Sequence, residues 1–249
     1  MDNLFFEKQQ RLLTETLYTS WKGGETGQHF LAAANVAVYY AQLKPPIVPD
    51  VFLSLDVEVA EDWYDKRHRS YFLWEFGKPP EVAIEIVSNK KGEEEERKLK
   101  LYGQIRVDYY VIFDPTRQLS DSILRVYERH RGKYRLVRDG GLEGVGLGLK
   151  LWKGEYEGKE STWLRWCDRD AQLIPTGAER VKQERKRAEQ ERERAEQEAA
   201  ARREAEARAQ TADAQAQAEA EARRAAEEEL ARLKAELARL RSADQPSLG

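Results

Sequence analysis

The chain has 249 residues, with 42 Lys and Arg against 45 Asp and Glu and a net charge of −3. It is not globally basic, which argues against tight, metal-free binding to nucleic acid. An enzyme that neutralises phosphate locally with a metal ion stays open. The lone Cys167 excludes an intramolecular disulfide, and no apolar stretch approaches the roughly 20 residues a spanning helix needs. With no signal-like apolar run at the start, a cytoplasmic location is expected. All six Trp lie before residue 170, and no aromatic residue follows Val181. The first part of the chain can therefore bury a core, whereas the last part has little to bury beyond Ala and a few Leu.

From Asn3 to about Thr19, Leu4, Phe5, Leu12, Leu13 and Leu17 recur near helical spacing, with Asp2 or Asn3 as a cap. Residues 21–27 read as a Gly-rich turn. Residues 30–40 end in Val36-Ala-Val-Tyr-Tyr, which favours a strand, with a helix as the rival because of the Ala run. Pro45-Pro46 breaks the element, and the β-branched 48–57 reads as the next strand. A polar loop follows over about 58–70. The apolar run 82–87, flanked by Pro80 and Ser88-Asn89, has the form of a buried strand.

Residues 93–103 read as a helix whose acidic start and basic continuation suit the macrodipole. Residues 108–113 form a strand stopped by Asp114-Pro115. Strand, helix and strand within about thirty residues predict a crossover unit with parallel strands. Residues 123–127 and 133–137, separated by Arg131-Gly132, predict a hairpin. Short strands are expected at 147–152 and 163–166. Gly144-Val-Gly-Leu-Gly has no helix after it and reads as a loop. From 178 to 242 there is no Gly or Pro. Ala, Glu, Arg and Gln predict a rod near 100 Å long at about 1.5 Å per residue. Leu230, Leu233, Leu237 and Leu240 step by three, four and three, an a/d coiled-coil seam that thins upstream to Val181, Ala188 and Ala195.

Three residues carry the candidate chemistry. Glu85 sits inside the apolar strand, sharing a face with Ala83 and Val87. A carboxylate there is costly to bury unless it is paired with a basic side chain or bound to a metal, and the strand alone leaves both readings open. Asp50 follows Pro49 at a strand start. Two carboxylates on neighbouring strands can share one Mg²⁺, which keeps several waters. Lys98 lies on the following helix, between Glu94 and Tyr102 at i−4 and i+4. It reads either as a surface ion pair with Glu94 or as a cation reaching the metal-bound water or the phosphate. No phosphate-binding Gly-Lys-Ser/Thr loop, Cys cluster or nucleophile elbow offers rival chemistry, and His29, His68 and His130 form no ligand spacing.

At these residues the chain resembles the Uma2 family. The matching stretches are VPDVFLSLDV at 48–57, RSYFLWE at 69–75, IEIVS at 84–88, KLKLY at 98–102 and VDYYVIFDP at 107–115. LRW at 164–166 and IPTGAE at 174–179 match the family's usual ending. The resemblance covers nearly all of 1–180. It implies a PD-(D/E)XK restriction-endonuclease-like α/β fold, a mixed sheet with flanking helices, and it transfers fold better than activity. Asp50 matches the motif's Asp and Glu85 its second acid. The motif's lysine position is Val87 here, and Lys98 on the next helix matches the family's displaced lysine. Many such nucleases carry an acid or Gln on the first helix, for which Glu7 is the candidate.

The expectation is a nuclease-like domain over 1–177, a charged helical coiled coil over 178–242 and a disordered tail over 243–249. The expected function is Mg²⁺- or Mn²⁺-dependent hydrolysis of DNA phosphodiesters, with Asp50 and Glu85 as metal ligands and Lys98 acting on water. The alternative is a catalytically silent nuclease fold that binds DNA or acts as a scaffold. A homo-oligomer through the C-terminal helix is expected, and no membrane association.

Overall fold

The β-branched and aromatic runs assemble into a six-stranded mixed sheet in the computed structural model, which describes residues 4–23, 27–59, 62, 64–88 and 94–243. Helix α1 (Leu4–Thr16) continues into a π-helical turn, Leu17–Trp21. Strands β1 (Phe30–Ala34), β2 (Val38–Tyr39), β3 (Val51–Leu55) and β4 (Tyr71–Phe72) follow, then the one-turn helix α2 (Leu73–Phe76) and β5 (Val82–Ile86). A π-helical turn, Glu94–Lys98, leads into α3 (Leu99–Ile105), and β6 (Tyr109–Phe113) closes the crossover. Then come β7 (Leu124–His130), β8 (Lys133–Val137), β9 (Gly141–Leu142), β10 (Leu147–Tyr156), β11 (Lys159–Cys167) and the helix α4 (Gly177–Ala243).

The main sheet runs β1-β3-β5-β6-β7-β8. Among the described residues of this sheet only β5 and β6 pair in parallel, joined by the predicted helical crossover, and β7 and β8 form the predicted hairpin. Side chains alternate across the sheet and fill two cores. Val51, Leu53, Ile84, Val111 and Phe113 face α1 and the β10–β11 hairpin, meeting Leu13, Leu17, Leu149, Leu164 and Trp166. Phe52, Ala83, Val87, Tyr110 and Ile112 face α3, meeting Tyr102 and Ile105.

Two elements depart from expectation. The single strand over 30–40 is two, because Asn35 takes the left-handed conformation at φ 56° and ends β1. Asn tolerates that region better than most residues. The strands at 147–152 and 163–166 are the inner ends of a longer hairpin paired from Gly148–Cys167 out to Tyr156–Lys159. Its turn is Glu157-Gly158, both at positive φ (47° and 74°), the geometry of a tight primed turn.

The chain divides into two compact units, Met1–Lys182 and Gln183–Gly249. Within the second, α4 is a helix through Ala243; the tail expected over 243–249 lies, beyond that residue, outside the described residues. Among the described residues no helix is long and apolar enough to cross a membrane.

Candidate active site

Strand register brings the two candidate acids together. The β3–β5 ladder ends with Val51 opposite Ile84, and one antiparallel step further Asp50 stands level with Glu85. Level residues on paired strands share a sheet face. For this pair it is the face covered by α3, as Phe52 and Ala83 in that core show.

Glu85 is buried, 2% exposed, and both its oxygens are engaged from one helical segment. The Lys98 ammonium donates to Oε2 at 2.6 Å and the Tyr102 hydroxyl to Oε1 at 2.6 Å. Lys98 thus pairs with Glu85, reaching inward from the end of the π-helical turn. Such turns often sit at functional positions, because the extra residue re-aims a side chain. Burial pushes the Glu85 carboxyl up to about 7; Lys98 opposes the rise and the neighbouring Asp50 adds to it. The Tyr102 hydroxyl, buried beside that carboxylate, is held protonated well above the usual phenol range, so it stays a donor.

Asp50 is fixed from the other side. Its Oδ2 accepts from the Ile86 backbone N–H at 2.6 Å, and its Oδ1 from the Gln10 amide at 3.1 Å. Gln10 lies on α1 and is itself buried. Its side chain exchanges hydrogen bonds of 2.9 and 3.3 Å with Asn35, whose backbone N–H donates to the Asp50 carbonyl at 3.2 Å. The first helix therefore sends Gln10 to the site. Glu7 points elsewhere and pairs with Arg11 at 3.0 Å. Val87, at the motif's lysine position, is buried in the α3-side core, and Lys98 supplies the cation from the helix. Arg125 was not foreseen: Glu85, Ile112 and Arg125 lie level across β5, β6 and β7, which puts this buried arginine on the same face.

A small hard cation fits this donor set. Two carboxylates side by side, with Asp50 disfavouring ionisation of the buried Glu85, form a pair that a divalent ion would neutralise. Among the described residues no group of three or more His, Cys, Asp or Glu gathers anywhere, so Asp50 and Glu85 would have to be completed by water and substrate oxygens.

A mixed sheet with an acid at the start of one strand, a second acid inside the next, and a lysine beside the latter defines the restriction-endonuclease-like class of α/β proteins. The family model Uma2, described as "Putative restriction endonuclease", matches residues 5–148, and the chain belongs to that family. No curated protein matches the chain.

Proposed function

We propose that residues 1–182 hydrolyse phosphodiester bonds of DNA using Mg²⁺ or Mn²⁺, in the cytoplasm. The observation that carries this reading is the alignment of Asp50 and Glu85 on one face with Lys98 at 2.6 Å from the buried acid. Asp50 and Glu85 would hold the ion. When bound, it would lower the pKa of a water and offset charge on the phosphate. The residues of the chain do the rest. Gln10 and the Ile86 N–H hold the Asp50 carboxylate in one orientation. Lys98 orients the attacking water and offers positive charge to the phosphate as the new O–P bond forms and the bond to the leaving sugar oxygen breaks. The proton lost by the attacking water passes to solvent, and the leaving oxygen takes a proton from water or Lys98.

The test is cleavage of supercoiled plasmid by purified protein. Activity is expected only with Mg²⁺ or Mn²⁺. Asp50→Ala and Glu85→Ala should each lower the rate about 10³-fold or more, since ion binding contributes several kcal/mol to the transition state. Lys98→Ala should cost rate more than metal affinity.

A second reading has its own observation. Lys98 and Tyr102 satisfy Glu85 entirely within the protein, which is what a silent fold retained for DNA binding or scaffolding also needs. Wild type that cuts no nucleic acid with either metal would establish it. In either reading we propose that the chain self-associates through Leu230, Leu233 and Leu237, each more than half exposed along α4. The side chain of Leu240, the fourth residue of that seam, lies outside the described residues.

A further inference from the structure

The two groups that hold Glu85 differ in how easily they can leave it. Lys98 is flexible, its side chain is 19% exposed, and it stands where a π-helical turn passes into α3. A swing of its four-carbon stem frees Oε2 without moving the backbone. Tyr102 has no such freedom. It is 2% exposed, and its ring lies 4.8 Å from that of Tyr110, packed in the core that also holds Val87, Ile105 and Val107. A buried aromatic side chain in a close-packed interior cannot turn away without opening a void. Oε1 therefore stays occupied by the Tyr102 hydroxyl, while Oε2 can be given up.

We infer that Tyr102 is a positioning residue that makes Glu85 a one-oxygen ligand and so biases the site toward small octahedral cations, Mg²⁺ and Mn²⁺, against Ca²⁺. Mg²⁺ takes single carboxylate oxygens at about 2.1 Å in a strict octahedron and keeps several waters. Ca²⁺ takes 6–8 oxygens at about 2.3–2.6 Å and commonly draws both oxygens of a carboxylate. A fixed donor on Oε1 takes one of that oxygen's lone pairs and sets the plane of the carboxylate, which disfavours a two-oxygen grip. Partners that orient a ligand are typically worth about 10–100-fold in metal affinity.

This rests on the metal-dependent reading above, and the experiment separates the two. Calorimetric titration of the full chain with Mn²⁺ and with Ca²⁺, without nucleic acid, is compared between wild type and Tyr102→Phe. Near-UV circular dichroism and a melting curve check that the variant keeps its packing. Wild type is expected to bind Mn²⁺ at least about 10-fold more tightly than Ca²⁺. The variant, lacking only the hydroxyl, should lose about 10-fold in Mn²⁺ affinity, and its preference over Ca²⁺ should narrow by a similar factor. A purely structural role would shift the melting temperature and leave that preference alone. An unchanged preference in folded Tyr102→Phe overturns the inference by itself, as does wild type that binds the two ions equally. Wild type that binds neither ion overturns the metal-dependent reading and the inference together. If Tyr102→Phe does not fold, the wild-type comparison of the two ions still decides it.

Discussion

Glu85 occupies a place in the sheet that would otherwise hold an apolar residue, and the cost depends on pH. Its carboxyl is raised from 4.5 to about 7 by burial, against the pull of Lys98 and with a push from Asp50. Below about pH 4.5 folded and unfolded chains both hold the proton. Between there and about pH 7 the folded chain keeps a proton that the unfolded chain has released, so stability falls as pH rises through that window. Glu85→Gln lacks this loss. Its stability relative to wild type should therefore climb by up to about 3 kcal/mol between pH 4.5 and pH 8. Urea unfolding at four or five pH values measures it, and parallel pH curves for the two proteins would refute the assignment. Glu85 was legible because a charge inside an apolar strand breaks a pattern; Asp50 drew interest only through Glu85, and Lys98 through the family resemblance. Gln10 was harder to find. It lies four residues after Phe6 and three before Leu13, both core positions, so a polar residue on the apolar stripe was the available signal. The resemblance implies an acid or Gln on this helix, and Gln10 fills that place where Glu7 was the candidate. Asn35 and Arg125 gave no local signal, since only pairing across strands brings them to the site.

Helix α1 is held by polar bonds as much as by its apolar stripe. The Gln9 side chain accepts from the Leu164 N–H at 2.9 Å and donates to the Leu164 carbonyl at 2.8 Å, so it pairs with β11 as a neighbouring strand would. Trp166 donates from its indole to the Leu13 carbonyl at 2.8 Å, and Phe5 stacks on Trp163 at 5.1 Å. Gln9→Leu would strand a buried N–H and a buried carbonyl, each costing about 1–3 kcal/mol, so a loss of about 2–4 kcal/mol is expected in denaturant unfolding. A loss below about 1 kcal/mol would show that packing alone docks the helix. At this scale the crossover β5–α3–β6 was readable because two short apolar runs, bounded by Pro80, Ser88-Asn89 and Asp114-Pro115, flank a segment whose acidic start and basic continuation suit a helix. The outer half of the β10–β11 hairpin was not. Its residues are mostly polar and exposed, and Glu157-Gly158 is a weaker turn signal than Asn-Gly or Asp-Gly.

For the molecule as a whole, the proposed self-association is carried by α4. Pairs such as Arg192–Glu196, Arg202–Glu206 and Arg223–Glu227 at i,i+4 support a solvated helix, each adding only about 0.2–0.5 kcal/mol. They leave Leu230, Leu233 and Leu237 exposed, and a second helix is the natural cover. Sedimentation equilibrium should find the full chain as a dimer or higher and a chain ending at residue 182 as a smaller assembly. The same number of copies in both would mean that the helix does not drive association. The union of α1 with β11 also orders events in time. Gln9 and Leu164 are 155 positions apart, and Gln10 beside it completes the hold on Asp50. Closing so long a loop comes late in folding. A chain emerging from the ribosome therefore carries Asp50, Glu85 and Lys98, and the strands β1 and β3 that α1 also packs against, well before β11 is made. Only after Cys167 is made can the first helix complete its bonds to β11, while the 67 residues of α4 are still being added over roughly 3–13 s at ordinary synthesis rates. The bonds that fix Asp50 and dock α1 on β11 would then be completed long after Asp50, Glu85 and Lys98 are made.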